Sequence, residues 1–245
     1  MSAASFAAAA KTVSIAMPVV MPAIAGIQPL SLQDFPGTPA AILFTRGCNL
    51  RCSYCHNPQL LGPGVDLPAA QVWEFLCRRQ GRLKGIVITG GEPTLQAGLI
   101  EFLTALRQLG YLIKLDSNGM RPEVIDAAVN AGLVDHVSLD WKVAPGDEDW
   151  CGLPTDACQR LQQCAAAVRR AGVTLEWRTT VLEPLHNAEK LTAIAAHFQS
   201  GDQWSLQSFR CQGELLDSSV EMAAPAHELL NIIVRAHSHL CCAIK

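Results

Sequence analysis

Residues 46–58 read RGCNLRCSYCHNP, and Cys48, Cys52 and Cys55 fall within eight consecutive positions. Thiolates so close together can wrap one metal centre, because cysteine sulfur ligates both zinc and iron–sulfur clusters. Both favour four ligands, and three cysteines leave one position unfilled. A structural zinc brings a fourth protein ligand, and His56, next to Cys55, could complete a Cys3His site. Structural zinc motifs usually set their ligands in two paired knuckles, however, and no second CxxC occurs. The spacing therefore favours a cluster with one open iron over zinc. The other seven cysteines, at positions 77, 151, 158, 164, 211, 241 and 242, are scattered. Cys77, Cys158 and Cys164 lie in helical patterns as small core or half-buried residues. The vicinal pair Cys241–Cys242 reads as a loose tail.

Short apolar runs at 40–48, 85–91, 111–119, 136–143, 173–182 and 204–211 must position these groups. Between and after them lie amphipathic segments at 68–83, 95–110, 122–132, 156–172, 187–199 and 225–240, with apolar positions three and four residues apart. Gly110, Gly132 and Gly172 stand where helices end. Six strand–helix units without a hairpin signal predict a parallel sheet. The expected fold is α/β: a partial, open (βα)6 TIM-like barrel of parallel strands with outer helices. A flat doubly wound sheet is the second choice. Residues 1–25 read as a weakly structured, disordered N-terminal extension, and residues 26–245 as a single domain.

In parallel α/β folds the ligand site lies at the carboxyl ends of the strands. There the chain places the cysteine loop, then TGGEPT (89–94), DSNG (116–119) and DWK (140–142), with Arg178 in the fifth run and Arg210 near the end of the sixth. Gly90-Gly91 could be an ordinary strand-to-helix turn, and Asp116-Ser117 an Asx turn. Asp140 and Lys142 alternate along a strand and share a face, either as a structural ion pair or facing a ligand. Trp141, between them, points into the core. An unpaired Arg178 inside a strand would be costly. His186 could line the mouth, although a lone histidine is more often a surface or capping residue. His136, His197, His227, His237 and His239 fit surface or helix-end positions.

The chain of 245 residues, 49% hydrophobic and 17% charged, suits one compact domain. Its net charge of −3 gives no basic footprint for nucleic acid. The N-terminal segment has no basic n-region, Pro18 and Pro22 interrupt its apolar stretch, and no membrane span is expected. Ten cysteines in so large a chain suit a reduced, cytoplasmic compartment.

The pattern Cys48-x3-Cys52-x2-Cys55, with Tyr54 before the last cysteine, resembles the radical S-adenosylmethionine (SAM) superfamily signature. YCHNP with GGEPT, LDSNG and LDWK resembles its glycyl-radical-enzyme activating branch. The run from Gly26 to Leu61 looks like that of the anaerobic ribonucleoside-triphosphate reductase activating proteins, with pyruvate formate-lyase activating enzyme more distant. The likeness covers about residues 26–215.

The resemblance implies a 4Fe-4S cluster on Cys48, Cys52 and Cys55 whose fourth iron chelates the amino and carboxylate groups of SAM. Reductive cleavage would then release methionine and a 5′-deoxyadenosyl radical. It further implies that Gly90 and Gly91 offer a backbone edge to the methionyl amine, with Glu92 beside the ammonium. Asp116 and Ser117 would lie near the SAM carboxylate through a bound monovalent cation, Asp140 and Lys142 near ribose and carboxylate, and Arg178 on the carboxylate. Backbone groups at Tyr54, Cys55 and His56 would read the adenine edge. Arg210 stands where the pyruvate formate-lyase activating enzyme has histidine.

The implied partners are a glycyl radical enzyme, with anaerobic ribonucleotide reductase foremost, and a flavodoxin or ferredoxin reductant. An open barrel with little chain left over for a lid suits a protruding protein loop as substrate. The alternatives are a radical SAM enzyme acting on another glycyl radical enzyme or on a small molecule, a zinc-binding interaction protein, and an iron–sulfur electron carrier.

Overall fold

The computed structural model describes residues 15–210, 215–217 and 219–245. Runs such as AAILFT and GIVITG become strands because β-branched residues suit the pleat, and their near-continuous apolar character marks burial on both faces. The predicted strands are observed as β2 (Ala40–Thr45), β3 (Gly85–Gly90), β4 (Leu112–Ser117), β5 (His136–Asp140), β6 (Thr174–Val181) and β7 (Gln203–Ser208). Two further strands flank them, β1 (Ile24–Ser31) and β8 (Cys241–Ile244). The eight form one sheet in chain order, antiparallel between β1 and β2 and parallel from β2 to β8. β1 and β8 are therefore its edges, and the sheet is open.

The expected parallel (βα) architecture stands, with two corrections. A hairpin precedes the first predicted strand, and Cys241–Cys242 belong to a strand that pairs with β7 instead of a loose tail. The expectation of a disordered extension falls mainly on residues 1–14, outside the described residues. From residue 15 the chain runs against the body, where Ile15 and Met21 pack on the core and Ala23 N donates to Gln96 Oε1 at 3.0 Å.

The six amphipathic segments form α1 (Ala69–Arg79), α2 (Leu99–Gln108), α3 (Pro122–Asn130), α4 (Ala157–Arg170), α5 (Ala188–Ala195) and α6 (His227–Ala236). Alternation along the strands separates two faces. Ala41, Leu43, Ile86 and Ile88 join the main apolar core with the helices, whereas Ala40, Ile42 and Val87 pack with Phe35 in a small second cluster. Further along the sheet the residues equivalent to that second face turn polar: Lys114, Asp116, Ser138, Glu176 and Ser205 are all buried. Burying so many polar groups is tolerable only if they satisfy one another.

Candidate active site

β2 ends at Thr45, and Gly47, at φ +84°, turns the chain into the cysteine loop. Cys48, Cys52 and Cys55 all line one open cavity of about 260 Å³ at the carboxyl ends of the strands. The loop is held by backbone hydrogen bonds from Gly47 N to Leu60 O at 2.7 Å, from Arg51 N to Cys151 O at 2.9 Å and from Ser53 N to Trp150 O at 2.9 Å. Burial pushes the Cys48 and Cys55 thiols up from the ordinary cysteine value. A hydrogen bond to Cys151, then burial, does the same to Cys52. A cationic centre would reverse that preference and deprotonate them.

The glycine motif packs directly onto this loop. Gly91 N donates to Thr45 O at 2.8 Å and Glu92 N to Gly47 O at 2.7 Å. Gly90 has φ +112°, a region open to glycine, and a Cβ there would stand 2.4 Å from Thr45 N. Glu92, fully buried, accepts through Oε1 from Thr94 N (3.0 Å), Thr94 Oγ1 (2.6 Å) and Ser117 Oγ (2.8 Å), and through Oε2 from Asn118 N (2.8 Å). Burial raises its pKa, against the pull of those donors. The structure thus uses Glu92 to clamp the end of β3 to the end of β4, at the wall of the same cavity.

A ladder of alternating charge crosses the polar face. Lys114 Nζ pairs with Asp116, Arg178 Nη1 donates to Asp116 at 2.7 Å and Nε to Asp140 at 2.6 Å, and Lys142 Nζ donates to Asp140 at 3.0 Å. Burial opposes ionisation of Asp116 and Asp140, yet Arg178 and its neighbouring lysines hold both carboxyls below their usual value. Arg178 is therefore paired by the protein's own carboxylates, and its burial needs no ligand. Likewise Asp140–Lys142 is an ion pair, with Lys142 just past the end of β5 rather than on the strand face. Below, Glu176 accepts from Ser138 (2.6 Å), Ser205 (2.5 Å) and Lys245 (2.5 Å) and stands 3.9 Å from Lys114. Period-two alternation of Lys114 with Asp116 was the signal for this face, unused by the sequence reading.

The cavity wall also includes Gly90, Gly91, Glu92, Asp116, Ser117 and Asn118, together with Tyr54, His56, Asp140, Lys142 and Arg178. Every residue expected to hold the cluster or SAM except Arg210 is thus brought to it. Arg210 is exposed and borders an adjoining open groove with Gln33, Asp34 and Lys245; the two cavities share His56, Asn57, Thr180 and Gln207. His56 Nε2 meets the Arg210 carbonyl at 2.8 Å, so one ring nitrogen is already engaged. Among the described residues no three His, Cys, Asp or Glu side chains are grouped to hold a single metal ion.

His186 lies behind the wall, 3% exposed. Its Nδ1 accepts from Leu182 N at 3.3 Å, which leaves Nε2–H to donate to Lys142 O at 3.1 Å. The Tyr54 hydroxyl donates to the same carbonyl at 3.3 Å. Burial lowers the His186 pKa to about 4. His136 is buried as well, against expectation, because its ring packs on Phe35 and beside Glu176, whereas His237 ends α6 as expected. Trp141 is core, as expected. Sequence reasoning missed the placement of Cys151, which sits fully buried behind the cysteine loop in a segment without periodicity.

The radical SAM superfamily pattern matches residues 42–197, more than half of the chain. The chain belongs to the radical SAM superfamily. It is 30% identical over 199 residues, 76% of this chain and 79% of the relative, to a protein of Methanocaldococcus jannaschii named as a glycyl-radical enzyme activating enzyme. With the pyruvate formate-lyase-activating enzyme of Listeria monocytogenes it shares 34% identity over 113 residues, 42% of this chain and 44% of that protein. These relatives place it in the activating branch of radical SAM enzymes. The 7-carboxy-7-deazaguanine synthase of Methanopyrus kandleri is 26% identical over 84% of this chain and 92% of its own length. Among solved structures, SuiB of Streptococcus suis bound to S-adenosylmethionine shares the fold, with a TM-score of 0.63 at 15% identity. The match covers 81% of this chain, which spans about half (48%) of SuiB. Radical SAM membership implies a 4Fe-4S cluster and SAM. The residues fit both: three thiols line one cavity, and Gly90 and Gly91, too close to the cysteine loop to carry side chains, line it beside them.

Proposed function

We propose that this radical SAM enzyme cleaves SAM reductively and takes a hydrogen atom from a glycine of a partner enzyme, leaving a glycyl radical. The observation that carries the reading is the convergence of Cys48, Cys52 and Cys55 with the Gly90–Gly91 edge and the Asp116–Arg178–Asp140–Lys142 ladder on one open cavity. Membership and the names of the relatives support the activating role.

In this reading Cys48, Cys52 and Cys55 hold the cluster, and the chain leaves its fourth iron to SAM. When bound, the cluster and SAM supply one electron to a sulfonium C–S bond and thereby a carbon radical that can take hydrogen. The residues supply position and charge. Backbone groups of Gly90 and Gly91 face the methionyl amine, and those at Tyr54, Cys55 and His56 face adenine. Lys142 and Arg178 set positive charge beside the SAM carboxylate, with Asp116 and Ser117 next to it, where a monovalent cation could share the site. Asp140 aims Arg178 and Lys142 through its two hydrogen bonds and is itself placed for ribose. His186 and Tyr54 fix the Lys142 carbonyl, and so the start of that side chain. Arg210 borders the groove through which a protein loop would enter.

The partner we favour is anaerobic ribonucleoside-triphosphate reductase, on the likeness of residues 26–61 to its activating proteins, with flavodoxin or ferredoxin as the electron source. The reading places the enzyme as a single domain from residue 26 onward in the reducing cytoplasm. Among the described residues no helix is long and apolar enough to cross a membrane. The cluster-loaded, reduced protein with SAM and the partner should give a glycyl radical signal by electron paramagnetic resonance. SAM cleavage without a radical on any partner would refute the activase assignment and leave the reaction class intact. The near full-length match to a deazaguanine synthase favours a second reading, a small-molecule substrate, which predicts deoxyadenosine formation that depends on that molecule alone.

A further inference from the structure

Cys52 has two faces of contact. One lines the cavity. The other meets Cys151, which arrives from the loop after β5 and lies fully buried. Hydrogen bonds on either side of Cys52, from Arg51 N to Cys151 O and from Ser53 N to Trp150 O, both 2.9 Å, lay the two backbones alongside each other. Cys151 is thereby set beside Cys52, and its Sγ reaches the hydroxyl of Tyr54, two residues on, at 3.5 Å. Cys48 is oriented differently: its sulfur accepts from Leu50 N at 3.4 Å and from Asn118 Nδ2 at 3.8 Å. Neither the cavity nor the proposed chemistry uses Cys151.

We infer that Cys52 and Cys151 form a redox modification site, joined as a disulfide in the metal-free protein and thereby withholding Cys52 from metal. The metal half of this inference rests on the proposed role of Cys52 as a cluster ligand. The oxidant is a peroxide, which reaches Cys52 through the cavity. The Cys52 sulfur attacks one peroxide oxygen as its thiol proton is lost, the O–O bond breaks, and the leaving hydroxide takes up a proton as water, giving the sulfenic acid. The Cys151 sulfur then attacks the Cys52 sulfur, the S–O bond breaks and a second water departs. Two thiols are oxidised by two electrons and one peroxide is reduced to two waters. A small-molecule thiol reverses the bond by exchange. Burial of Cys151 against the loop gives the sulfenic acid a partner at once, ahead of further irreversible oxidation.

The test treats metal-free full-length protein with hydrogen peroxide, alkylates the remaining thiols and maps tryptic peptides without reduction. The expected product links the peptide that begins at Cys52 to the one that carries Cys151, with fragmentation assigning the bond to those two residues. The treated protein should lose iron and sulfide uptake on reconstitution until dithiothreitol is added, whereas treated Cys151→Ser or Cys151→Ala, lacking the resolving thiol, should recover less of that uptake when dithiothreitol is added. A Cys52 left free, or paired with Cys48 or Cys55 in the wild type, overturns the inference; that map decides even where a variant fails to fold. Reduced, untreated protein that takes up no iron overturns the cluster reading and the metal half of the inference, while the peptide map still decides the disulfide.

Discussion

A Cβ placed on Gly91 would stand 2.0 Å from the carbonyl oxygen of Gly47. The cysteine loop and the glycine motif, more than forty residues apart in the chain, are therefore in direct backbone contact, closed by the Glu92 N to Gly47 O hydrogen bond of 2.7 Å. Gly91→Ala must push the two loops apart. Overpacking of this kind costs about 1–3 kcal/mol, and the displaced loop should retain less iron after reconstitution. Gly62, where a Cβ meets nothing within 4 Å, provides the control: Gly62→Ala should match the wild type in urea unfolding and in iron content.

Glu92→Gln separates a clamp from a ligand. The carboxylate accepts from four donors, and an amide nitrogen in place of either oxygen would face donors and leave at least one unmet. The variant should lose about 1–3 kcal/mol in chemical denaturation. Unchanged stability with weakened SAM binding would instead mark Glu92 as an ammonium ligand.

Arg178→Met takes one of two cationic partners from each of two carboxylates, the buried Asp116 and the half-buried Asp140. Removing one partner from a buried charge network costs about 3–5 kcal/mol. Both carboxyls sit below their ordinary value of 3.8 in the native protein, so their contribution is present above that pH and is lost as pH falls through the lowered native values. In the variant only Lys114 and Lys142 remain to favour their ionised forms, so that contribution shrinks. The stability gap between wild type and Arg178→Met should therefore be widest near neutral pH and narrow below 3.8.

His186 titrates in the same sense, at higher pH. Its native pKa is lowered from 6.5 to about 4, so between those values the unfolded chain binds more protons than the folded one. Stability from this group should be complete above pH 6.5 and fall by about 3 kcal/mol as pH drops toward 4. His186→Gln, measured by denaturation across the same range, should lack that slope; an identical slope in the variant would remove His186 as its source.

The six inner strands, the six helices and the rim that carries the chemistry were legible because periodicity and glycine placement are local signals. Gly110, Gly132 and Gly172, all at positive φ, stand just beyond α2, α3 and α4 as read. β1 escaped notice because it is an edge strand carrying Pro29, with no clean alternation in its burial. β8 is four residues long and largely exposed, and its existence depends on pairing with β7. Within the site, residue types were readable but their partners were not. Arg178 meets Asp116 and Asp140 across strands, and Cys151 meets Cys52 across a gap of nearly one hundred residues; such register is a property of the folded sheet.

The central claim is that Cys48, Cys52 and Cys55 hold an iron–sulfur cluster with one iron left for SAM. Electron paramagnetic resonance of the anaerobically reconstituted, reduced protein, recorded before and after SAM is added, tests it most directly. The account predicts a reduced-cluster signal whose shape changes when SAM binds, and which is lost on replacing any of the three cysteines with alanine. A signal indifferent to SAM, or a purified protein that carries zinc without sulfide, would contradict it.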